Sequence, residues 1–201
     1  MEQHTHLQIA HSSTMQTHPR WTTARRSRTI RPMKKLILLR HAKSSWKHPG
    51  LSDHDRPLNK RGRAAAPVMA HWLRDQGHLP DAILCSSSKR TQETVERMRG
   101  AVPEIPEPLM IRDLYHAAPA TIMRKLRTFD DPDADALMVV AHEPGTGALA
   151  RQLAGSRADQ IDAFPTAAAA VFLLDIVDWG DASSDRARLI AFAKPRELMG
   201  S

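Results

Sequence analysis

Two arginines and two histidines are the residues of this chain best suited to chemistry, and each stands where an apolar run gives way to a polar turn. Arg40 and His41 follow Leu36-Ile37-Leu38-Leu39 directly. Arg90 lies shortly after Ala82-Ile83-Leu84-Cys85, and His142 directly follows Ala136-Leu137-Met138-Val139-Val140-Ala141. Guanidinium forks match the oxygens of a phosphoryl group, and an imidazole serves as nucleophile or donor. Taken singly, each has a plainer reading: Arg40-His41 as a polar strand exit, Arg90 as a solvated arginine. Their recurrence at three strand exits is what suggests a common pocket, because parallel sheets bind ligands beyond the carboxyl ends of their strands. No carboxylate cluster or Cys/His spacing suits a metal ion, so the chemistry is expected to need neither a metal nor another cofactor.

The elements that would hold these residues follow from periodicity and punctuation. The three apolar runs read as strands buried on both faces. A turn-rich segment covers Ser45 to Pro57. Asn59 is a suitable N-cap for a helix from about Lys60 to Gln76, ended by Gly77 and interrupted by Pro67, which predicts a kink or a delayed start. Ser86-Ser87-Ser88 leads into a second helix with Arg90 in its first turn, where a cation opposes the helix dipole and must gain from solvent or from an anion. Leu109-Met110-Ile111 is a short extended piece, Pro119 opens a helix over about Ala120 to Thr128, and Thr146 is expected to cap a helix to about Ala154. Ala167 to Val177 and Arg188 to Ala193 read as two more strands in a hairpin-like antiparallel edge. Strands alternating with helices predict an α/β fold, a three-layer α/β/α sandwich around a mostly parallel sheet.

Length and charge narrow the function. The chain has 201 residues, 41% of them apolar, which supports one sizeable core. A formal charge of +7 raises the question of nucleic acid, but residues 1–32 carry five arginines against Glu2. The remaining 169 residues hold 24 Lys and Arg against 21 Asp and Glu, a balance of only +3. Aromatic residues are 4% of the chain, too few for base stacking, so neither nucleic acid nor membrane is expected as a partner. No apolar run approaches the ~20 residues that span a bilayer. Cys85 is the one cysteine and lies within an apolar run, which suits a packing residue and a cytoplasmic protein. Residues 1–32 read as a disordered basic, His-rich tail, with translation starting at Met33; the histidines at 4, 6, 11 and 18 fit no defined metal site.

Four segments in order complete the pattern: Leu39-Arg40-His41-Ala42-Lys43-Ser44, Asp55-Arg56-Pro57-Leu58-Asn59 with Arg61-Gly62, Ser86-Ser87-Ser88 with Arg90-Thr91 and Glu93-Thr94, and Val140-Ala141-His142-Glu143-Pro144-Gly145. Together they resemble the histidine phosphatase superfamily, the phosphoglycerate mutase-like group, and within it the SixA phosphohistidine phosphatases. The likeness runs from about Met33 to Pro195, so residues 33–201 are expected to be the phosphatase domain. It implies that His41 attacks phosphorus and forms a phosphohistidine enzyme that water hydrolyses. Arg40, Arg90 and His142 would hold the equatorial oxygens, and Ser44 would add a hydroxyl at the rim. Neighbouring Arg40 and Arg90 would disfavour the imidazolium of His41, and its other nitrogen would donate to a backbone carbonyl.

Two departures from the superfamily bear on substrate. Ala42 replaces the usual glycine, as in many SixA-like members, and the general acid of larger members has no clear counterpart. Asp113 is the nearest candidate, with His116 and Glu143 behind it. An alkoxide leaving group needs protonation, worth ~10²–10⁴ in rate, whereas phosphohistidine leaves as an imidazole and needs less help. The expected substrate is therefore phosphohistidine on a protein, such as a phosphorelay component. The alternatives are a small phosphate ester, or a non-catalytic protein that binds phosphate or polyanions.

Overall fold

Alternation of side chains along the first strand sets the layers. In β1 (Lys34–Arg40), Leu36 and Leu38 pack on one face of the sheet, Ile37 and Leu39 on the other, and all four are fully buried. Burial on both sides is why the run reads as continuously apolar. The Ile37 and Leu39 face is covered by α1 (Lys60–Asp75) and α2 (Lys89–Ala101), through Met69 and Leu73 of the first and Val95 and Met98 of the second. The opposite face is covered by α3 (Pro119–Arg127) and α4 (Gly145–Ala154), through Ile122, Leu126, Leu149 and Leu153. These are the three layers expected from sequence. The structure is a computed structural model and describes residues 1, 33–47 and 49–200; the tail expected over 1–32 lies, Met1 apart, outside the described residues.

The remaining strands are β2 (Ala82–Ser86), β3 (Pro108–Ile111), β4 (Ala136–Ala141), β5 (Ala169–Leu174) and β6 (Ala187–Ala193), and the sheet order is β3-β2-β4-β1-β5-β6. The first four strands in that order are parallel; β5 runs antiparallel to both β1 and β6. Because β2, β4 and β1 are neighbours pointing the same way, their exits share one edge. Register makes this specific. Arg40 pairs with Ala141, so His41 and His142, one residue further on each strand, emerge side by side.

β5 and β6 form the expected antiparallel pair at one edge of the sheet, with β6 outermost and the second side of β5 paired to β1; β3 is the opposite edge. Two local expectations need correction. Pro67 lies inside α1 without delaying its start at Lys60, at the cost of one helix hydrogen bond. Thr146 does not cap α4: Pro144 holds that position, and the Thr146 hydroxyl donates to the His142 carbonyl at 3.0 Å. Asn59 does cap α1, accepting from the Gly62 amide at 2.9 Å, a contact worth about 1 kcal/mol. Gly62 itself is required, since a Cβ there would collide with the carbonyl oxygen of Lys43, two residues beyond His41. Among the described residues no helix is long and apolar enough to cross a membrane.

Candidate active site

His41 is held from both sides by backbone. Its amide donates to the Ala141 carbonyl at 3.1 Å, and the amide of Ala167 donates to the carbonyls of Arg40 and His41, each at 3.1 Å. Ala167 does this with φ of +63°, a conformation costly for a residue with a Cβ. The next amide, Ala42, donates to Thr94 Oγ1 of α2 at 3.0 Å. The imidazole that results is 7% exposed. Its Nδ1 lies 2.7 Å from the Ala42 carbonyl, which can only accept, so Nδ1 carries the proton and Nε2 is unprotonated. Arg90 Nε donates to that Nε2 at 3.3 Å. Burial brings the pKa of His41 down to about 3, against the pull of the Ala42 hydrogen bond and with help from Arg90, Arg40 and Arg56. The ring is neutral at physiological pH.

Arg90, in the first turn of α2, is the hub of the site. It is only 2% exposed, and besides His41 it reaches His142 Nδ1 from Nη2 at 3.2 Å. An arginine can only donate, so Nδ1 of His142 is unprotonated and Nε2 gives its hydrogen to Ser86 Oγ at 2.8 Å. Burial, with His41 and Arg90 alongside, brings His142 down to about 2. The two imidazoles lie 5.1 Å apart, centroid to centroid.

Arg40 and Ser44 reach the same pocket, a cavity of about 310 Å³ whose walls also include Trp46, Asp53, Arg56, His116 and Glu143. Arg40 Nη1 donates to the Phe164 carbonyl at 2.8 Å, and its buried Nε has no hydrogen-bond partner among the described residues. The same is true of Nη1 of Arg56, whose Nε faces the Asp53 carboxylate at 3.1 Å. Arg56 is stacked on Trp46 at 3.4 Å and donates from Nη2 to Ser44 Oγ at 2.8 Å, so the Ser44 hydroxyl positions an arginine as well as lining the rim. Buried guanidinium donors without partners are costly and call for a counter-charge. A phosphoryl group bound in this pocket would supply one.

Sequence reasoning missed Asp53. Its backbone carbonyl accepts from Arg90 Nη1 at 2.5 Å, and its carboxylate accepts from Arg90 Nη2 at 3.0 Å, Tyr115 OH at 2.7 Å and His116 Nε2 at 3.1 Å. Arg56 Nε lies 3.1 Å from the other oxygen. Burial works to raise its pKa, but the Tyr115 and His116 hydrogen bonds and the charges of Arg90 and Arg56 hold it well below the usual carboxylate range. The turn-rich segment between β1 and α1 is thus a wall of the pocket, not a bare connection.

Asp113, expected as the acid, is placed elsewhere. A 3-10 turn at Arg112–Leu114 sends Leu114 into the core and Asp113 outward, where Lys125 of α3 pairs with it at 2.7 Å. Lys125, by hydrogen bond and charge, also holds its pKa down. His116 does face the pocket, in a left-handed conformation with φ of +49°, its ring 5.3 Å from that of His142. Glu143 lines the pocket too; burial raises its pKa, opposed by the Gly147 amide and by Arg40 and Arg151. Cys85 is buried and its thiol is pushed up to about 12, which leaves it inert.

A buried, neutral histidine among arginines at the carboxyl edge of a parallel sheet defines a site for handling phosphoryl groups. Comparison with known proteins agrees. Residues 36–113 match the histidine phosphatase superfamily (branch 1). An uncharacterized protein of Mycobacterium tuberculosis strain H37Rv is 37% identical over 166 residues, 79% of this chain and 100% of its own length. A structure from Agrobacterium tumefaciens, described as a phosphohistidine phosphatase SixA, superposes with a TM-score of 0.68 at 30% identity, covering 81% of this chain and 98% of the other. A second, so described, from Nakamurella multipartitia gives 0.70 at 28%, covering 81% and 96%. The chain belongs to the histidine phosphatase superfamily and is SixA-like within it. Family and neighbours together support phosphatase activity.

Proposed function

We propose that residues 33–201 form a phosphatase domain that works through a phosphohistidine on His41 and removes phosphate from phosphohistidine on a protein. The observation that carries this reading is the unprotonated Nε2 of His41, with the proton held at Nδ1 by Ala42 and the attacking atom turned to Arg90. In the first step Nε2 bonds to phosphorus as the bond to the leaving group breaks, while Arg40, Arg90 and His142 neutralise the equatorial oxygens. In the second, water displaces His41 and phosphate leaves. Arrival of a phosphoryl dianion raises the proton affinity of His142, converting Nδ1 from an acceptor into a donor to an oxygen.

The leaving group argues for the substrate. Asp53 is held ionised and Asp113 faces Lys125, so neither delivers a proton. A phosphohistidine ring already protonated on its second nitrogen departs as neutral imidazole and needs none. One observation favours small phosphate esters instead: Glu143 faces the pocket with a raised pKa, the property of a general acid. The test offers a phosphohistidine protein and an aryl phosphate side by side to wild type and His41→Ala. Faster release from phosphohistidine, abolished in the variant, is expected. Preference for the ester, lost in Glu143→Gln, would reverse the assignment.

A further inference from the structure

Beside the pocket runs a larger groove of about 1090 Å³, continuous with it through Arg40, Lys43 and Thr166, which line both. Its rim carries Lys43, Lys60, Arg61, Lys194 and Arg196 with Arg40, against a single acid, Glu197. Lys194 is occupied by Asp162 at 2.7 Å and Glu197 at 3.7 Å. Lys43, Lys60, Arg61 and Arg196 are exposed and have no ion pair among the described residues. Lys60 and Arg61 also stand in the first turn of α1, which contains no acid, where cations oppose the helix dipole. They must gain elsewhere. The lining also includes the buried Ala65 and Pro195 with Pro165 and the exposed Met199, and no aromatic residue. Apolar residues among charged ones suit a protein surface; a nucleic-acid strand would want rings to stack on.

We infer that this groove docks an acidic face of the protein whose phosphorylated side chain enters the pocket, an inference that rests on the phosphoprotein reading above. A substrate reaching His41 passes the groove's open end, so negative charge flanking the phosphorylated residue falls against the free cations. Exposed charges of this kind act chiefly on association rate and on its dependence on salt.

The test uses two synthetic phosphohistidine peptides, one with four glutamates flanking the histidine and one with four lysines, offered to the full chain and to Lys60→Glu/Arg61→Glu. Glutamates in that turn complement the helix dipole, so the variant keeps its fold. Wild type is expected to favour the acidic peptide by about tenfold in kcat/KM, with the preference residing in KM and lost on raising salt from about 0.05 to about 0.5 M. The variant should show no preference while hydrolysing an aryl phosphate as wild type does. Binding of the same peptides unphosphorylated, by fluorescence anisotropy, separates the two claims. Salt-sensitive binding of the acidic peptide without turnover of either would retain the groove and overturn the phosphohistidine substrate. Equal binding and equal turnover of both peptides, or an undiminished preference in the variant, would overturn the groove.

Discussion

Two groups of cations lie side by side in this protein and differ in burial more than in charge. In the pocket, Arg90 is 2% exposed, bonded to His41, His142 and Asp53, and it adds to the burial that keeps both rings neutral. In the groove, Lys43, Lys60, Arg61 and Arg196 stand in solvent without an ion pair among the described residues. Away from water a charge interacts strongly, is weakly screened by salt, and is fixed in direction; in water it is none of these. The first arrangement suits chemistry on a phosphoryl group, the second attraction of whatever carries it. Mutations should divide along the same line.

Substitution of His41 by alanine is expected to have the largest effect, a loss of about 10⁴-fold or more in phosphate release from any substrate, measured in single turnover. Arg90→Met should lower kcat/KM by about 10²–10³-fold, equally for protein and small substrates, and the loss should persist at high salt. A loss confined to low salt would place Arg90 in the same class as the groove cations.

Burial of the neutral histidines also sets a pH dependence. His41 and His142 have folded pKa values of about 3 and about 2, below the 6.5 of an exposed histidine. The unfolded chain therefore takes up protons first, so stability is complete above pH ~6.5 and declines as pH falls below it, by about 1.4 kcal/mol per pH unit for each ring. Chemical denaturation of His142→Asn between about pH 6 and pH 4 should show a slope shallower by that amount; an unchanged slope would mean that the ring is protonated in the fold. Asp53 acts at the next stage. Its pKa is depressed, so its contribution is present above pH ~4 and is lost as pH falls, and Asp53→Asn should flatten only this lower limb of the curve. The smallest effect belongs to Lys60→Glu/Arg61→Glu acting on an aryl phosphate, which should change by less than about twofold.

The same contrast explains what could be read from the sequence. Arg40, His41, Arg90 and His142 were legible because each follows an apolar strand directly or within a helical turn, and parallel neighbours bring their exits to one edge. Asp53 and Tyr115 were not, and His116 only as a weaker candidate for the acid, because the meeting of Arg90, Tyr115 and His116 at Asp53 depends on the course of two loops, and nothing in local periodicity records it. Asp113 lies only three residues from His116, yet the 3-10 turn between β3 and α3 directs one outward to Lys125 and leaves the other at the pocket. The pairing of β5 with β1 was hidden for a related reason: an apolar strand covered on both faces looks the same whether one neighbour or two bond to its edges.

The central claim is that the Nε2 atom of His41 takes the phosphoryl group. Acid lability with alkali stability distinguishes a phosphohistidine from a phosphoester, so the most direct measurement is a rapid quench in alkali of enzyme mixed with a radiolabelled phosphohistidine protein, followed by mapping of the label. The account predicts a transient, acid-labile label on the peptide containing His41, formed before free phosphate and absent from His41→Ala. Phosphate release without labelled enzyme, or label that persists in His41→Ala, would contradict it.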